Sequence, residues 1–132
     1  MALDVALQGK RYPPVRFAVE GERVDAFARA VAQRVEGVPP TFATVPEIAA
    51  GLANVLDDPE LALDLSAILH GEQEYVWNRP LRIGERLTAS STIESIRGKG
   101  AMWFLVLSTV LRDEAGDDVV LGRSTVIVRE GA

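Results

Sequence analysis

The chain has 132 residues, a formal net charge of −5 and no cysteine, so it fits one domain and excludes disulfides, thiolate metal sites and cysteine nucleophiles. Its 14 basic residues are scattered rather than gathered into a stripe, which argues against binding to a nucleic-acid backbone. Without a signal-peptide pattern or a run of roughly 18 apolar residues that could span a membrane, we expect a cytoplasmic protein, and we predict no metal site.

The first elements are an extended segment and an amphipathic helix. Prolines at the start of Tyr12–Val19 bar a helix there, and β-favouring residues follow them. From Arg23 onward, apolar residues recur at helical spacing and predict a helix that lies on a surface and continues through Glu36. Its apolar positions are Val24, Phe27, Ala28, Val31 and Val35.

A second helix follows the turn at Val38–Pro40. Thr44 and Glu47 match the Ser/Thr-x-x-Glu capping pattern, and Pro46 in the first turn is compatible with a helix start. Residues 48–56 are apolar nearly all round, which predicts a helix buried by a surrounding sheet.

The rest of the chain is predicted to form strands. Residues 60–67 fit either a short helical turn or an extended lead-in. Four strands follow, separated by turns rich in glycine and proline, at Leu69–Asn78, Arg86–Arg97, Ala101–Asp113 and Val119–Arg129. Because residues 101–107 are continuously apolar, we expect both faces of that strand to be covered, one by the buried helix and the other by a partner subunit.

These elements predict an α+β architecture, with an antiparallel sheet wrapped around a central apolar helix and a single domain over residues 1–132. That layout is the hot-dog fold.

The only histidine, His70, lies in a segment that also holds two carboxylates and two aromatic side chains, residues 69–81. One interpretation is structural: a buried or interface imidazole, hydrogen-bonded to Glu72, Gln73 or the backbone. The other is a direct part in catalysis, since histidine titrates near neutral pH.

Several motifs in this order resemble the MaoC-like dehydratases, most closely the group with an N-terminal half-domain of fatty-acid-synthase type. They are Gly9–Pro14, Phe27–Ala30, Val38–Phe42, Leu69–Gln73 and Arg79–Leu81 with Gly84. The resemblance implies the hot-dog fold and chemistry on acyl thioesters of coenzyme A or acyl carrier protein. Active members add or remove water across a carbon–carbon double bond and yield or consume an (R)-3-hydroxyacyl group.

Such chemistry needs an acid, a base and amide N–H groups aimed at the thioester oxygen. The resemblance implies that the amides come from the N-terminus of the central helix. We therefore predict an acyl-thioester-binding set made of Thr41, Phe42, Ala43, Thr44, Gly51, His70 and Gly71. Small residues beside the helix, Gly51 among them, leave room for an acyl chain or allow close packing on the sheet.

In catalytic members the acid and base come from a loop after the first helix that holds an Asp, an Asn-Pro pair and a His. This chain passes from its first helix to Val38–Pro40 almost at once, so that loop is predicted to be missing. His70 and Glu47 remain as catalytic candidates. Glu47 is explained by capping or, alternatively, by the helix carboxylate that activates water in hot-dog thioesterases.

Three functions stay open. The chain is a subunit of an (R)-3-hydroxyacyl-thioester dehydratase or hydratase that lacks its own catalytic loop, or a homodimeric acyl-CoA thioesterase or dehydratase, or a non-enzymatic acyl-thioester-binding or assembly module. Each predicts a homodimer or a heterodimer with a catalytic hot-dog subunit. None requires a cofactor beyond the coenzyme A or carrier-protein thioester, which is substrate or ligand.

Overall fold

The computed structural model of the protein describes residues 3–33 and 36–129. Its strands are β1 Val15–Ala18, β2 Ile68–Trp77, β3 Arg86–Lys99, β4 Met102–Arg112 and β5 Asp118–Arg129. Helix α1 covers Gly21–Ala30. A continuous helical segment over residues 40–56, called the central helix below, consists of a 3₁₀ turn Pro40–Ala43, an α turn Thr44–Pro46, a π segment Glu47–Leu52 and an α turn Ala53–Leu56.

The five strands form one antiparallel sheet in the order β1-β3-β4-β5-β2. The four strands predicted after residue 68 are confirmed to within three residues at each end, and the segment left open contains a 3₁₀ turn at Leu65–Ala67. Because β2 is last in the order, it lies at an edge of the sheet. The hot-dog architecture predicted from the sequence is confirmed.

The sheet wraps around the central helix, whose inward side chains join two apolar clusters. Phe42 and Val55 are fully buried, one in each cluster. The apolar sequence predicted that this helix is buried all round, and that prediction is wrong. Ile48 is 43% exposed, and Ala49 is exposed beside it. One face of the central helix is therefore open beyond the sheet.

Helix α1 is shorter than its sequence pattern predicted. It ends at Ala30, and Ala32 takes a left-handed conformation with φ of 54°, which a continuing helix does not allow. Val24 is buried, but Val31 lies past the helix end and is 46% exposed. Val35, the last position predicted for the apolar face, lies outside the described residues.

The N-terminal segment is fastened to the end of the central helix by a buried carboxylate. Asp58, 7% exposed, accepts hydrogen bonds from the Lys10 ammonium and the Tyr12 hydroxyl, each at 2.6 Å. Burial alone would raise the pKa of Asp58, but these two bonds, together with the backbone amide of Glu60 and the charge of Lys10, outweigh burial and hold the pKa below its ordinary value of 3.8. No helix within residues 3–33 or 36–129 has the length and apolar character needed to cross a membrane.

Candidate functional site

A cluster of polar side chains lies between the central helix and the edge strand β2. The Glu47 side chain, only 1% exposed, accepts hydrogen bonds from Tyr75 Oη to Oε1 at 2.7 Å and from Gln73 Nε2 to Oε2 at 3.0 Å. Ser124 Oγ lies 3.3 Å from Glu47 Oε2 and 2.6 Å from Gln73 Oε1. A buried carboxyl group that is held by several donors is a satisfied acceptor.

The network continues toward the surface through a pair of hydroxyl groups. Thr44 Oγ1 lies 2.8 Å from the Tyr75 hydroxyl, and both residues are half-buried. Burial raises the pKa of the Tyr75 hydroxyl well above its ordinary value of 10; the hydrogen bond with Thr44 lowers it, and the Glu47 carboxyl raises it. Tyr75 therefore stays protonated near neutral pH and donates to Glu47. We call Thr44, Glu47, Gln73, Tyr75 and Ser124 the Glu47 network.

This geometry shows that the predicted capping box is wrong. Thr44 already has helical dihedral angles, because the helix begins four residues earlier with the 3₁₀ turn at Pro40. The Thr44 hydroxyl bonds to Tyr75, and the Glu47 carboxyl points inward to the sheet rather than back toward a helix start. Glu47 is held by tertiary contacts and not by a local motif.

Strand alternation explains how the partners of Glu47 come together. Gln73 and Tyr75 are two residues apart on β2, so their side chains lie on one face. They are opposite Ser124 and Gly122 on β5. A Cβ atom on Gly122 would collide with Glu47 Oε2, so the notch left by this glycine is filled by the carboxyl group.

Gln73, Tyr75 and Ser124 are not among the site residues predicted from the sequence. The signal available was polar or small residues at alternate positions of two predicted strands, on the face that should be apolar. It indicates a polar site inside the sheet, although it does not identify the helix residue that completes the site.

His70 lies outside this network. It is exposed on β2, and its Nε2 atom is 3.2 Å from the backbone oxygen of Glu72. The register of β2 against β5 shifts between His70 and Glu72, so Gly71 forms a bulge, and a Cβ there would lie 2.8 Å from Ile127 Cδ1. The predicted hydrogen bond from His70 to the backbone is confirmed, whereas burial within this chain is wrong because β2 is an edge strand.

The start of the central helix is packed into the core. Phe42 and Ala43 are fully buried, and the Phe42 ring lies 5.5 Å from that of Phe27 in an edge-to-face contact. The Phe42 amide donates to the Pro39 carbonyl at 2.9 Å. Thr41 is exposed, with its hydroxyl 3.5 Å from Gln33 Oε1. A role for these residues in binding a thioester stays a prediction.

Gly51 lies where the central helix packs against β3 and β4. A Cβ there would be 2.6 Å from Thr109 Cγ2 and 2.7 Å from Ser91 Oγ, distances that real Cβ atoms essentially never show. Ser91 and Thr109 are buried and hydrogen-bonded to each other at 2.7 Å. Close packing therefore accounts for this glycine, and its predicted role in acyl binding has no contact of its own to support it.

A groove of about 470 Å³ lies beside the start of the central helix. It is lined by Val38–Pro40 and by residues 77–81, and Trp77 is 39% exposed in it. Arg79 fixes this wall, because its guanidinium donates two hydrogen bonds to Glu85, at 2.7 and 3.1 Å, and one to Asp113 at 3.3 Å.

Within the described part of the chain, no group of three or more histidine or carboxylate side chains is placed to hold a metal ion.

Comparison with known proteins identifies the family. A family model described as the FAS1-like dehydratase domain region matches residues 32–121. The chain belongs to the FAS1-like dehydratase family. An uncharacterised relative from Streptomyces coelicolor, a UPF0336 protein, is 37% identical over 98% of this chain and 97% of its own length. Another from Leifsonia xyli is 33% identical over 96% of each chain.

Solved structures place this FAS1-like domain among MaoC-like hot-dog folds. A chain of the HadBC (3R)-hydroxyacyl-ACP dehydratase complex from Mycobacterium tuberculosis matches with a TM-score of 0.77 and 22% identity, over 92% of this chain and 96% of that one. A MaoC-like dehydratase matches with a TM-score of 0.78 and 22% identity, over 96% of this chain and 43% of that one. At this identity the likeness shows the fold, and it agrees with the family resemblance found in the sequence motifs.

Proposed function

We propose that this FAS1-like protein is a subunit of an (R)-3-hydroxyacyl-thioester dehydratase or hydratase that lacks its own catalytic Asp and His pair and shapes the acyl-thioester site of a catalytic hot-dog partner. The observation that carries the proposal is the state of its two catalytic candidates. His70, the only histidine, is exposed and hydrogen-bonded to the backbone oxygen of Glu72, and Glu47 is enclosed by donors. His70 and Glu47 have separate partners and do not form the paired acid and base that adding or removing water needs.

The short connection between α1 and the central helix supports this proposal. Helix α1 ends at Ala30 and the central helix begins at Pro40. The alignment with the S. coelicolor relative spans 147 positions, more than the 132 residues of this chain, so the relative carries residues that this chain lacks. A missing catalytic loop after α1 is consistent with both facts.

The edge strand supports the proposed pairing. β2 ends the sheet and exposes Leu69 by 64% and Val76 by 51%. An exposed apolar edge strand offers backbone groups and apolar surface to a second chain. Two structural neighbours belong to complexes, HadBC and ChsH1–ChsH2, both from Mycobacterium tuberculosis. We therefore propose a heterodimer with a catalytic hot-dog subunit, and a homodimer as the form taken alone.

The test is an assay of crotonyl-CoA hydration by the purified protein, in which the rate is measured as loss of the enoyl absorbance. We expect no rate above the buffer control for this chain alone. We expect activity when it is mixed with a MaoC-like subunit that carries the Asp and His pair, with a heterodimer seen in native mass spectrometry. An enzyme-like rate from the chain alone would overturn the proposal.

The two alternative functions give different results. A thioesterase would release free thiol from acyl-CoA, and the release would be lost in Glu47→Gln while the protein stays folded. The enclosed carboxyl group does not favour that reaction, which needs a water molecule at the carboxylate. A non-enzymatic binding module would bind acyl-CoA yet leave the activity of every catalytic partner unchanged.

A further inference from the structure

The central helix is attached to the two sides of the sheet in different ways. At Gly51 it is pressed against β3 and β4 with no space for even one added carbon. Toward β2 it is connected by long side chains, since Glu47 bridges to Gln73 and Tyr75. The space between the helix and β2 is thus filled by the Glu47 network rather than by close contact of the two backbones.

This network runs from the surface into the core. Thr44, Gln73 and Tyr75 are half-buried, whereas Glu47 and Ser124 are each only 1% exposed. The Glu47 carboxyl group fills the notch at Gly122, where β5 has no side chain. It therefore stands at the inner end of a polar path that begins between the helix and β2.

We propose that Glu47 is a specificity-determining residue that closes the interior of this subunit to acyl chains, so that the thioester bound at this subunit carries a short acyl group. The inference rests on the proposed function, because it presupposes an acyl-thioester ligand. A longer chain could enter beside β2 only by displacing the carboxyl group and leaving the Tyr75 hydroxyl and the Gln73 amide without their acceptor.

The free energies of burying methylene groups and of breaking hydrogen bonds favour an interior that stays closed to acyl chains. Each methylene group transferred from water into an apolar site increases affinity by about fourfold. Truncation of Glu47 to alanine removes four side-chain heavy atoms, which makes room for only a few methylene groups. In the wild type, a longer chain would have to displace the carboxyl group. That displacement breaks two or three hydrogen bonds and leaves their donors unpaired, and this cost offsets the gain. The wild-type protein should therefore gain nothing from a longer chain.

The experiment is calorimetric titration of the full-length protein with butyryl-, hexanoyl-, octanoyl- and lauroyl-CoA. For the wild type we expect dissociation constants within about threefold of one another. Glu47→Ala, alone and combined with Tyr75→Phe to make the opened space less polar, should bind lauroyl-CoA at least tenfold more tightly relative to butyryl-CoA. Glu47→Gln, which keeps the volume and one acceptor oxygen, should retain the wild-type profile.

A matched control is Glu74→Ala, the same truncation on the opposite face of β2, where Glu74 is exposed and paired with Arg123. It should leave the chain-length profile unchanged. Circular dichroism shows which variants are folded. The wild-type series needs no variant, so a steep rise of affinity with chain length in the wild type overturns the inference even if both alanine variants fail to fold.

The remaining outcomes separate the two proposals. If the wild type binds butyryl-CoA and a folded Glu47→Ala keeps the wild-type profile, the closure is wrong and the proposed function stands. If neither the wild type nor any folded variant binds any of the four thioesters, the closure is wrong, and the hydration assay with the catalytic partner then decides the proposed function separately.

Discussion

Substitution of Gly51 by alanine tests how closely the central helix packs on the sheet. In an exposed helix, alanine in place of glycine would stabilise the protein by about 1 kcal/mol. Here the new Cβ would lie 2.6 Å from Thr109 Cγ2 and 2.7 Å from Ser91 Oγ. Overpacking of this kind costs about 1–3 kcal/mol, and loss of the buried Ser91–Thr109 hydrogen bond adds about 1 kcal/mol. We expect a net destabilisation of about 1–3 kcal/mol.

Thermal unfolding followed by circular dichroism measures this effect, and a lowering of Tm by roughly 3–10 °C is expected for a chain of this size. The double variant Gly51→Ala/Thr109→Ser removes the clashing methyl group, so it should be less destabilised than the sum of the single variants. Ala49→Gly, at an exposed position of the same helix, reports the helix preference alone. A Tm that rises in Gly51→Ala would refute the packing argument, because only helix preference would then act.

Three further substitutions follow from the contacts described above. Folding lowers the pKa of Asp58, so the contribution of its carboxylate to stability is present above pH 3.8 and is lost as the pH falls through the folded-state pKa. Urea unfolding at pH 7 and pH 3 should therefore show a smaller loss of unfolding free energy on acidification in Asp58→Asn than in the wild type. Arg79→Lys loses the paired hydrogen bonds to Glu85 and should lower the free energy of unfolding by about 1 kcal/mol, whereas an unchanged value would mean that the ion pair is only a surface contact. His70→Ala should change that free energy by less than about 0.5 kcal/mol, and a larger loss would show that the imidazole is buried in the assembled protein.

The strands and their turns could be predicted from the sequence because their signals are local. Gly100 and Gly116 have φ values of 62° and 88°, a conformation that glycine adopts without strain, and both lie in the turns predicted between β3, β4 and β5. Continuous or alternating apolar residues between the turns then define the strands. The hot-dog layout follows once an apolar helical segment precedes such a series of strands.

The edge position of β2 could not be predicted from those local signals. Strand order is a property of the whole sheet, and β2 pairs with β5, more than 40 residues away, rather than with β3 that follows it. The sequence favours a buried or interface setting for His70, because polar residues inside strands are commonly satisfied in the core. At the edge, the same residue is exposed.

Glu47 matches a local sequence pattern but does not have the structural role that this pattern predicts. The Thr-x-x-Glu pattern matches a helix start, but the 3₁₀ turn at Pro40 moves that start four residues back and leaves Glu47 about two turns inside the helix. There its side chain meets residues of β2 and β5 that are 26 to 77 positions away in the chain. A pattern of neighbouring residues cannot predict contacts between residues that are so far apart in the chain.

Folding alone gives little reason for a carboxyl group at this place. An apolar side chain of similar volume could fill the notch at Gly122 without burying oxygen atoms, and replacement of buried polar groups by apolar ones is often neutral or stabilising. The segment from Glu47 to Leu52 is also a π segment, a rare helical form that is frequent at functional sites. Positions where sequence rules fail and a structural cost is retained are those where function is expected to act. Selection among ligands is therefore the role expected of Glu47, and the chain-length titration tests it directly.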